Sequence, residues 1–171
     1  MESDNPGLNP APIGSRIEDV DTPALLLDWA AAQRNIHRMA SFFRGRLSRL
    51  RPHFKNHKCP ELARRQIEAG NCVGLTCAKL GEAEVVAARG IGDVLIANQV
   101  VGAHKVARLV ELAGRIRVHV AVDDVGQANA ISQAAAAAQV TVGILVEIDI
   151  GMGRCGVGPG RPALDLACAV Q

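Results

Sequence analysis

Short apolar runs recur along the chain at intervals of roughly 20 to 25 residues, separated by stretches rich in Ala, Glu and Arg at helical spacing. The runs VLIAN and ILVEID are apolar up to a polar end, which is typical of parallel strands covered by helices. We predict six strands, at residues 24–28, 50–55, 73–77, 94–98, 118–123 and 143–149.

Helical stretches separate these strands: WAAAQRNIHRMASFFRG, PELARRQIEAG, GEAEVVAARG, AHKVARLVELAG and VGQANAISQAAAAAQ. Because a helix lies between consecutive strands, each strand is predicted to run parallel to the one before. The predicted fold class is α/β, either an open doubly wound sheet or a barrel. A complete barrel needs about 250 residues, so 171 residues would form only part of one. Residues 1–20, rich in Pro, Gly and Asn, are predicted to be an arm preceding an α/β region at 21–171.

The composition is that of a folded protein without a strong charge. Apolar residues make up 49% and charged residues 21%, and the formal net charge is +2. Aromatic residues make up only 2%, so the stacking surfaces of single-stranded nucleic-acid binders are nearly missing. We therefore expect no nucleic-acid partner.

Cysteine usage and the N-terminal segment indicate the compartment. Five cysteines without a CxxC pair argue against a disulfide framework and favour a reducing environment. The N-terminal segment contains acids and prolines but no apolar run, so we expect no signal peptide and a cytoplasmic location. Gln127, Asn129 and Gln133 interrupt the uncharged stretch 125–146, which is therefore not expected to span a membrane.

Polar side chains collect where the predicted strands end, which is where parallel α/β folds place their active sites. In chain order they are Lys55 and His57, Thr76 and Cys77, Asn98, Asp123, and finally Glu147, Asp149 and Arg154. Asn98 is for this reason a candidate cofactor-binding residue. Asp at such a position also caps the following helix, and for Asp123 we expect that structural role.

The segment LRPHFKNHKCPE has the most unusual pattern in the chain. Strand periodicity places four basic side chains on one face: Arg51, His53, Lys55 and His57. Such a face needs anionic partners or a neutral lysine, because burial of an unpaired charge is costly. Crowding by positive neighbours favours the neutral amine, which attacks a carbonyl to form a Schiff base. We therefore predict that Lys55 is the nucleophile and that His53 is a further cofactor-binding candidate.

Other interpretations of this segment stay open. Lys58 has the opposite parity and directly precedes the start of a helix, so we expect it to face solvent. A solvated basic edge strand would explain the same residues without any catalysis. His53, His57 and Cys59 have the side chains of zinc ligands, but their spacing fits no closed four-ligand pattern. We predict no metal ligand in this chain.

A glycine-rich segment, VEIDIGMGRCGVGPG, follows the last predicted strand. Gly151, Gly153 and Gly156 match the dinucleotide-binding spacing GxGxxG, but that motif should open a helix, and prolines and further glycines here favour coil. Glycines that let the backbone approach a cofactor, with Arg154 directed at an oxyanion, explain the same residues. Arg154 is therefore a second candidate cofactor-binding residue.

The segments RPHFKNHKCPELARRQ, GLTCAKLGEAE, IANQVVG and VEIDIGMGRCGV together resemble a known family. It is the D-threonine aldolase and D-serine dehydratase-like family of fold type III pyridoxal phosphate enzymes, whose first domain is that of alanine racemase. The resemblance implies that Lys55, the first lysine of HxKxHK, holds pyridoxal 5′-phosphate as a Schiff base. It also implies that Arg154 lies beside the phenolic oxygen of the cofactor.

The resemblance further implies a partial (β/α)8 TIM barrel of the alanine racemase N-terminal type, with the first five barrel strands. The strand at 24–28 would instead join a C-terminal β domain. The last three barrel strands, the phosphate loop, the divalent-metal ligands and the β domain are not among these 171 residues. We therefore expect a fragment or a truncated product, whose open sheet edges would pair in a homodimer or with a complementing C-terminal half.

The activity that the resemblance implies is that of a lyase acting on β-hydroxy D-amino acids. A D-threonine aldolase-like enzyme would release glycine and an aldehyde, assisted by a divalent metal ion. A D-serine dehydratase-like or racemase activity is the alternative within the family. From other classes, a non-catalytic homeostasis protein would bind pyridoxal phosphate without turnover, and a nicotinamide dehydrogenase would use the glycines and not depend on Lys55.

Overall fold

The computed structural model describes residues 11–170, so residues 1–10 of the expected arm lie outside the described residues. The chain divides into two compact units, residues 1–35 and 36–171. A 3-10 helix, Ile17–Asp19, lies in the first unit, and helix α1, Trp29–Phe43, begins in the first unit and ends in the second. Helix α1 begins where Asp28 Oδ1 accepts a hydrogen bond from Ala31 N at 2.8 Å.

The strand predicted at residues 24–28 does not form. These residues have no regular secondary structure and pair with no strand in the described part of the chain. Leu25, Leu26 and Leu27 are all exposed. A strand depends on a neighbour for its hydrogen bonds, and the neighbour that the resemblance implied, a C-terminal β domain, is not part of these residues. The prediction was wrong because an apolar pattern cannot supply a pairing partner.

The second unit alternates helices and strands. Their bounds are α2 Pro60–Glu68, β1 Leu75–Cys77, α3 Leu80–Ala87, β2 Asp93–Ile96, α4 Ala103–Ala113, β3 Arg117–Val122, α5 Val125–Ala137, β4 Gly143–Val146 and α6 Arg161–Ala169. The strands are parallel and lie in the order β1-β2-β3-β4. Residues 50–53 run parallel to the chain before and within β1, bridging from Leu50 to Cys72 and from His53 to Thr76. This arrangement confirms the predicted α/β fold and the partial barrel.

The sheet has one buried face and one open face. Alternate strand residues pack against α3, α4 and α5 and are buried: Leu75, Cys77, Val94, Ile96, Val118, Val120 and Val122. On the open face Thr76, Leu95, His119 and Gly143 form one row across the four strands and are only half-buried. Burial of apolar surface, worth about 25 cal/mol per Å², therefore stabilises the helix side, while the open face carries the polar residues.

Local signals at the helix ends agree with the predicted helices. Asp124 Oδ1 accepts a hydrogen bond from Gln127 N at 2.9 Å and caps α5. Gly70 and Gly90, which follow α2 and α3, adopt φ of 100° and 83°, a conformation that costs glycine little. Between residues 11 and 170, none of the helices combines the length and the apolar character needed to cross a bilayer.

Candidate active site

The candidate residues lie at the carboxyl edge of the parallel sheet, in two groups. Lys55 follows the first strand segment, 50–53, and Arg154 lies in the loop beyond β4. These are the two outermost strands, so β1, β2 and β3 separate the lysine from the arginine. The structure thus brings His53 together with Lys55, and groups a second set of side chains around the loop of Arg154.

Lys55 lies on a 3-10 turn, Phe54–Asn56, rather than on a strand. The predicted strand at 50–55 ends at His53 because the Phe54 side chain is buried and its carbonyl accepts a hydrogen bond from Lys58 N. Lys55 is exposed, and its amine has no hydrogen bond or ion pair with the residues that the structure describes. The turn therefore presents a primary amine at the edge of the sheet.

His53 holds the start of this turn. Its Nδ1 accepts a hydrogen bond from Lys55 N at 3.3 Å, as an N-cap side chain does. Burial lowers the pKa of His53 below its ordinary value, and the charge of Lys55 lowers it further; Glu82 and a backbone hydrogen bond with Thr76 act in the opposite direction. The neutral ring is the form that can accept the Lys55 N–H.

Arg51 does not crowd the lysine as the predicted strand alternation implied. Its guanidinium donates a hydrogen bond to Asp93 Oδ1 at 2.7 Å, and both side chains are largely buried. Asp93 is the first residue of β2, so this ion pair lies at the amino end of the sheet. The prediction of a single cationic face is therefore wrong, because Arg51, one of its four basic side chains, is paired with Asp93 away from the site.

His57 and Lys58 have structural surroundings. The His57 ring bonds to Gln66 Oε1 at 3.2 Å and accepts from Cys59 N at 3.1 Å, so both ring nitrogens help to position the start of α2. Lys58 is exposed, as predicted. No group of three His, Cys, Asp or Glu side chains within residues 11–170 is arranged to hold a metal ion, which argues against the zinc interpretation of this segment.

Asn98 and Cys77, the candidates after β2 and β1, have structural contacts. Asn98 Nδ2 donates to the Ala78 carbonyl at 3.2 Å, and its Oδ1 accepts from Gln99 N at 3.0 Å. Asn98 therefore ties the end of β2 to the end of β1. The Cys77 side chain lies on the buried face, where burial raises its pKa to about 12. Cys77 is not a reactive thiol.

The glycine-rich loop, residues 149–157, folds around its own carboxylate. Asp149 accepts hydrogen bonds from the backbone N–H groups of Gly151, Met152 and Gly153, and these bonds lower the pKa of Asp149. The amides that a dinucleotide phosphate would need are thus already bonded, and the next helix begins only at Arg161. The geometry therefore disfavours the dinucleotide interpretation.

The end of this loop returns to the strand from which it started. Ile148 bridges to Val157, and Gly156 has a φ of 97°. A Cβ built at Gly156 would lie 2.6 Å from Asp149 N, so both the conformation and the close approach require glycine. Arg154 lies between these constraints with an exposed side chain.

Three side chains, which we term the rim cluster, join the ends of β2, β3 and β4: Gln99, Asp123 and Glu147. Gln99 Nε2 donates to Asp123 Oδ2 at 2.9 Å and to Glu147 Oε2 at 2.6 Å. Asp123 Oδ2 also accepts from Gly156 N at 2.9 Å, and Glu147 Oε1 accepts from Cys155 Sγ at 3.2 Å.

Asp123 therefore does not cap α5, as the sequence suggested. The cap is Asp124, the next residue along the chain. The Asp123 carboxylate instead turns to the open side of the sheet, because alternation along β3 places it on the same face as His119 and Ala121.

Sequence reasoning missed Gln99, although a signal for it exists. Asp123 follows Gln99 by 24 residues and Glu147 follows it by 48. The strand register pairs residues at the same spacing, for example Leu95 with His119. Equal spacing of polar residues in successive strand and helix units therefore indicates side chains at one height of the sheet.

The donor set fits pyridoxal phosphate. An exposed amine, on Lys55, is what the cofactor's aldehyde requires, and an exposed guanidinium, on Arg154, suits a phenolate oxygen. The two groups lie at the carboxyl edge of one parallel sheet, where barrel enzymes bind their ligands.

Comparison with known proteins supports this interpretation. Residues 27–171 match the family model of the alanine racemase N-terminal domain. The D-threonine aldolase of Arthrobacter sp is 42% identical over 158 residues, covering 92% of this chain and 41% of the relative. The 3-hydroxy-D-aspartate aldolase of Paracoccus denitrificans is 39% identical over 161 residues, covering 94% and 42% respectively. The chain thus spans well under half the length of these relatives.

Solved structures agree. The crystal structure of D-threonine aldolase from Filomicrobium marinum matches with a TM-score of 0.86 and 51% identity, over 90% of this chain and 42% of that one. The D-threo-3-hydroxyaspartate dehydratase from Delftia sp. HT23 matches with a TM-score of 0.76 and 33% identity, over 89% and 39%. The resemblance inferred from the motifs is confirmed, and the chain belongs to the family of the alanine racemase N-terminal domain.

Proposed function

We propose that this chain is the lysine-bearing part of a pyridoxal phosphate-dependent lyase that cleaves β-hydroxy D-amino acids to glycine and an aldehyde. The observation that carries the proposal is the exposed amine of Lys55, on a turn that His53 caps at the carboxyl edge of the sheet. The 42% identity to a D-threonine aldolase, across 92% of the chain, favours this reaction over others of the fold.

Each residue of the site has a distinct role in this proposal. Lys55 would hold the cofactor through Nζ, and the cap from His53 orients the turn that carries this lysine. Arg154 would lie against the phenolic oxygen of the cofactor and stabilise its negative charge. Asn98 stays a proposed cofactor-binding residue at the end of β2, where its amide also bonds to the end of the neighbouring strand. When bound, pyridoxal phosphate supplies the electron sink for the bond that breaks at Cα.

The metal ion and the partners in this proposal are inferred from the resemblance to the family. A divalent ion would polarise the substrate hydroxyl, and we assign its ligands to sequence outside these 171 residues. The small-molecule partner is a D-amino acid. The open sheet face would be covered within a longer chain, by a complementing C-terminal half or in a homodimer, and the cytoplasm remains the predicted location.

A dehydratase is the second candidate, and one observation favours it. The D-threo-3-hydroxyaspartate dehydratase of Delftia sp. strain HT23 is 35% identical over 86% of this chain. The two reactions give different products from D-threonine: glycine and acetaldehyde from the aldolase, and a keto acid with ammonia from the dehydratase. Product analysis of the protein expressed from its complete gene separates them, and a racemase would yield only the epimeric amino acid.

The first test is covalent trapping of the cofactor. Added pyridoxal phosphate should give a visible absorbance band, and borohydride reduction followed by peptide mapping should place the label on Lys55. Lys55→Ala should abolish the label because it removes the covalent anchor. Lys58→Ala is the matched control, since it removes an exposed lysine three residues away and should leave the label in place.

Two results would contradict the assignment. A label retained in Lys55→Ala and lost in Lys58→Ala would move the anchor to Lys58. A protein that shows the band but no spectral change and no product with any β-hydroxy D-amino acid would be a cofactor carrier rather than a lyase.

A further inference from the structure

The backbone is tied on both sides of Arg154. On the entry side, the carboxylate of Asp149 accepts the N–H of Gly153 at 3.0 Å. On the exit side, Cys155 and Gly156 both donate to carboxylates of the rim cluster. The two immediate neighbours of Arg154 are therefore held, although its own side chain is exposed. These hydrogen bonds fix the stretch of backbone from which the guanidinium projects.

The hydrogen bonds that Cys155 and Gly156 donate to the rim cluster depend in turn on the side-chain amide nitrogen of Gln99. Asp123 and Glu147 follow adjacent strands, and Gln99 Nε2 lies between their carboxylates at 2.9 and 2.6 Å. A primary amide has two N–H donors, so each carboxylate can receive one of them. Without that nitrogen, two negative charges would face each other across neighbouring strand ends, and like charges repel strongly where solvent is limited. Either carboxylate would then turn away from the loop.

We infer that Gln99 is a positioning residue for Arg154, acting through Asp123 and Glu147. The inference rests on the proposed function, since it gives Arg154 its task at the cofactor. In this role Gln99 acts through its hydrogen bonds to the two carboxylates and not through contact with the cofactor. It fixes the two acceptors that fix the loop, and so sets where the arginine meets the phenolic oxygen.

The test is a double-mutant cycle on the protein expressed from its complete gene, with bound pyridoxal phosphate read by its absorbance maximum and its dissociation constant. Gln99→Leu keeps the side-chain size but removes both donors. We expect its band to shift in the same direction as that of Arg154→Ala, with several-fold weaker cofactor binding. The double variant should behave like Arg154→Ala alone, because the effect of Gln99 passes through the arginine.

Controls separate positioning from general loss of structure. Gln133→Leu changes an exposed glutamine on α5 and should leave the band unchanged. Gln99→Glu keeps the shape and adds a third carboxylate, so it should shift the band at least as far as Gln99→Leu. It also serves as the variant to measure if Gln99→Leu does not fold.

The outcomes distinguish the inference from the proposed function. A wild-type protein without a visible band would overturn both. A normal wild-type band with Gln99 variants that match wild type would overturn only the role of Gln99. Additive effects of Gln99→Leu and Arg154→Ala on the band and on binding would also overturn it, since two independent contributions would then be at work.

Discussion

At the scale of single residues, the cap formed by His53 connects protonation to the turn that carries Lys55. Only the neutral ring can accept the Lys55 N–H, and burial keeps the pKa of His53 below its ordinary value of 6.5. The unfolded chain therefore binds a proton at a higher pH than the folded chain does. The contribution of His53 to the free energy of unfolding is complete above about pH 6.5, the ordinary pKa of histidine. It is lost as the pH falls through the lower pKa that His53 has in the folded chain.

We predict that His53→Asn removes this pH dependence. Asparagine offers a side-chain acceptor for the cap but does not titrate. Wild-type stability, measured by urea unfolding between pH 7.5 and 5.5, should fall more steeply with decreasing pH than that of His53→Asn. His104→Asn, on the exposed first turn of α4, is the control and should keep the wild-type slope. Parallel slopes for wild type and His53→Asn would contradict the assignment.

At the scale of elements, the packing of β3 against β4 depends on a large residue facing a small one. His119 and Gly143 are paired in register, and a Cβ built at Gly143 would lie 2.2 Å from the His119 ring. The ring thus lies over the bare backbone of the next strand, where its Nδ1 is buried without a hydrogen-bond partner among the described residues. The glycine is needed here for space, since its φ is not left-handed.

Gly143→Ala should therefore destabilise the chain by about 1–3 kcal/mol, the usual cost of overpacking. Gly92→Ala is the matched control, because a Cβ at Gly92 would meet nothing within 4 Å. Adding His119→Ala to Gly143→Ala should restore much of the loss, since it removes the ring that the new methyl group meets. Denaturant unfolding measures all four proteins, and an unrescued double variant would argue for backbone strain instead.

Elements were predicted correctly from the sequence where the signal is local. The prediction failed where an element depends on a neighbouring strand. Helices were placed by their caps and by apolar spacing, and strands β1–β4 by apolar runs that pack on helices. The segment 24–28 has the same pattern but no strand beside it. The 3-10 turn at Lys55 arises from the burial of Phe54, and the rim cluster arises from register between strands, neither of which is visible in a local window.

At the scale of the whole described chain, stability and chemistry lie on opposite faces of the sheet. The helix side contains fully buried aliphatic residues such as Leu109 and Leu112, while Leu145 on the open face is 41% exposed. The site residues lie at the edge of that open face. Substitutions for function can therefore be made with little change in the core.

Two matched leucine substitutions measure this asymmetry in the 171-residue chain. Leu109→Ala should cost about 2–5 kcal/mol, because it leaves a cavity between α4 and the sheet. Leu145→Ala should cost less than about 1 kcal/mol, since water already reaches that side chain. Unfolding free energies from urea titration compare the two. Equal losses would mean that the open face is covered in solution, for example by a second copy.

The carboxylate inside the glycine-rich loop has a consequence for motif searches. A pattern built on glycine spacing alone selects residues 151–156 as a nucleotide-binding loop, although Asp149 already occupies the amides that would bind phosphate. The informative letter is the aspartate two positions before the first glycine. Patterns written as DxGxGxxG, rather than GxGxxG, would separate loops that supply their own anion from loops that recruit one.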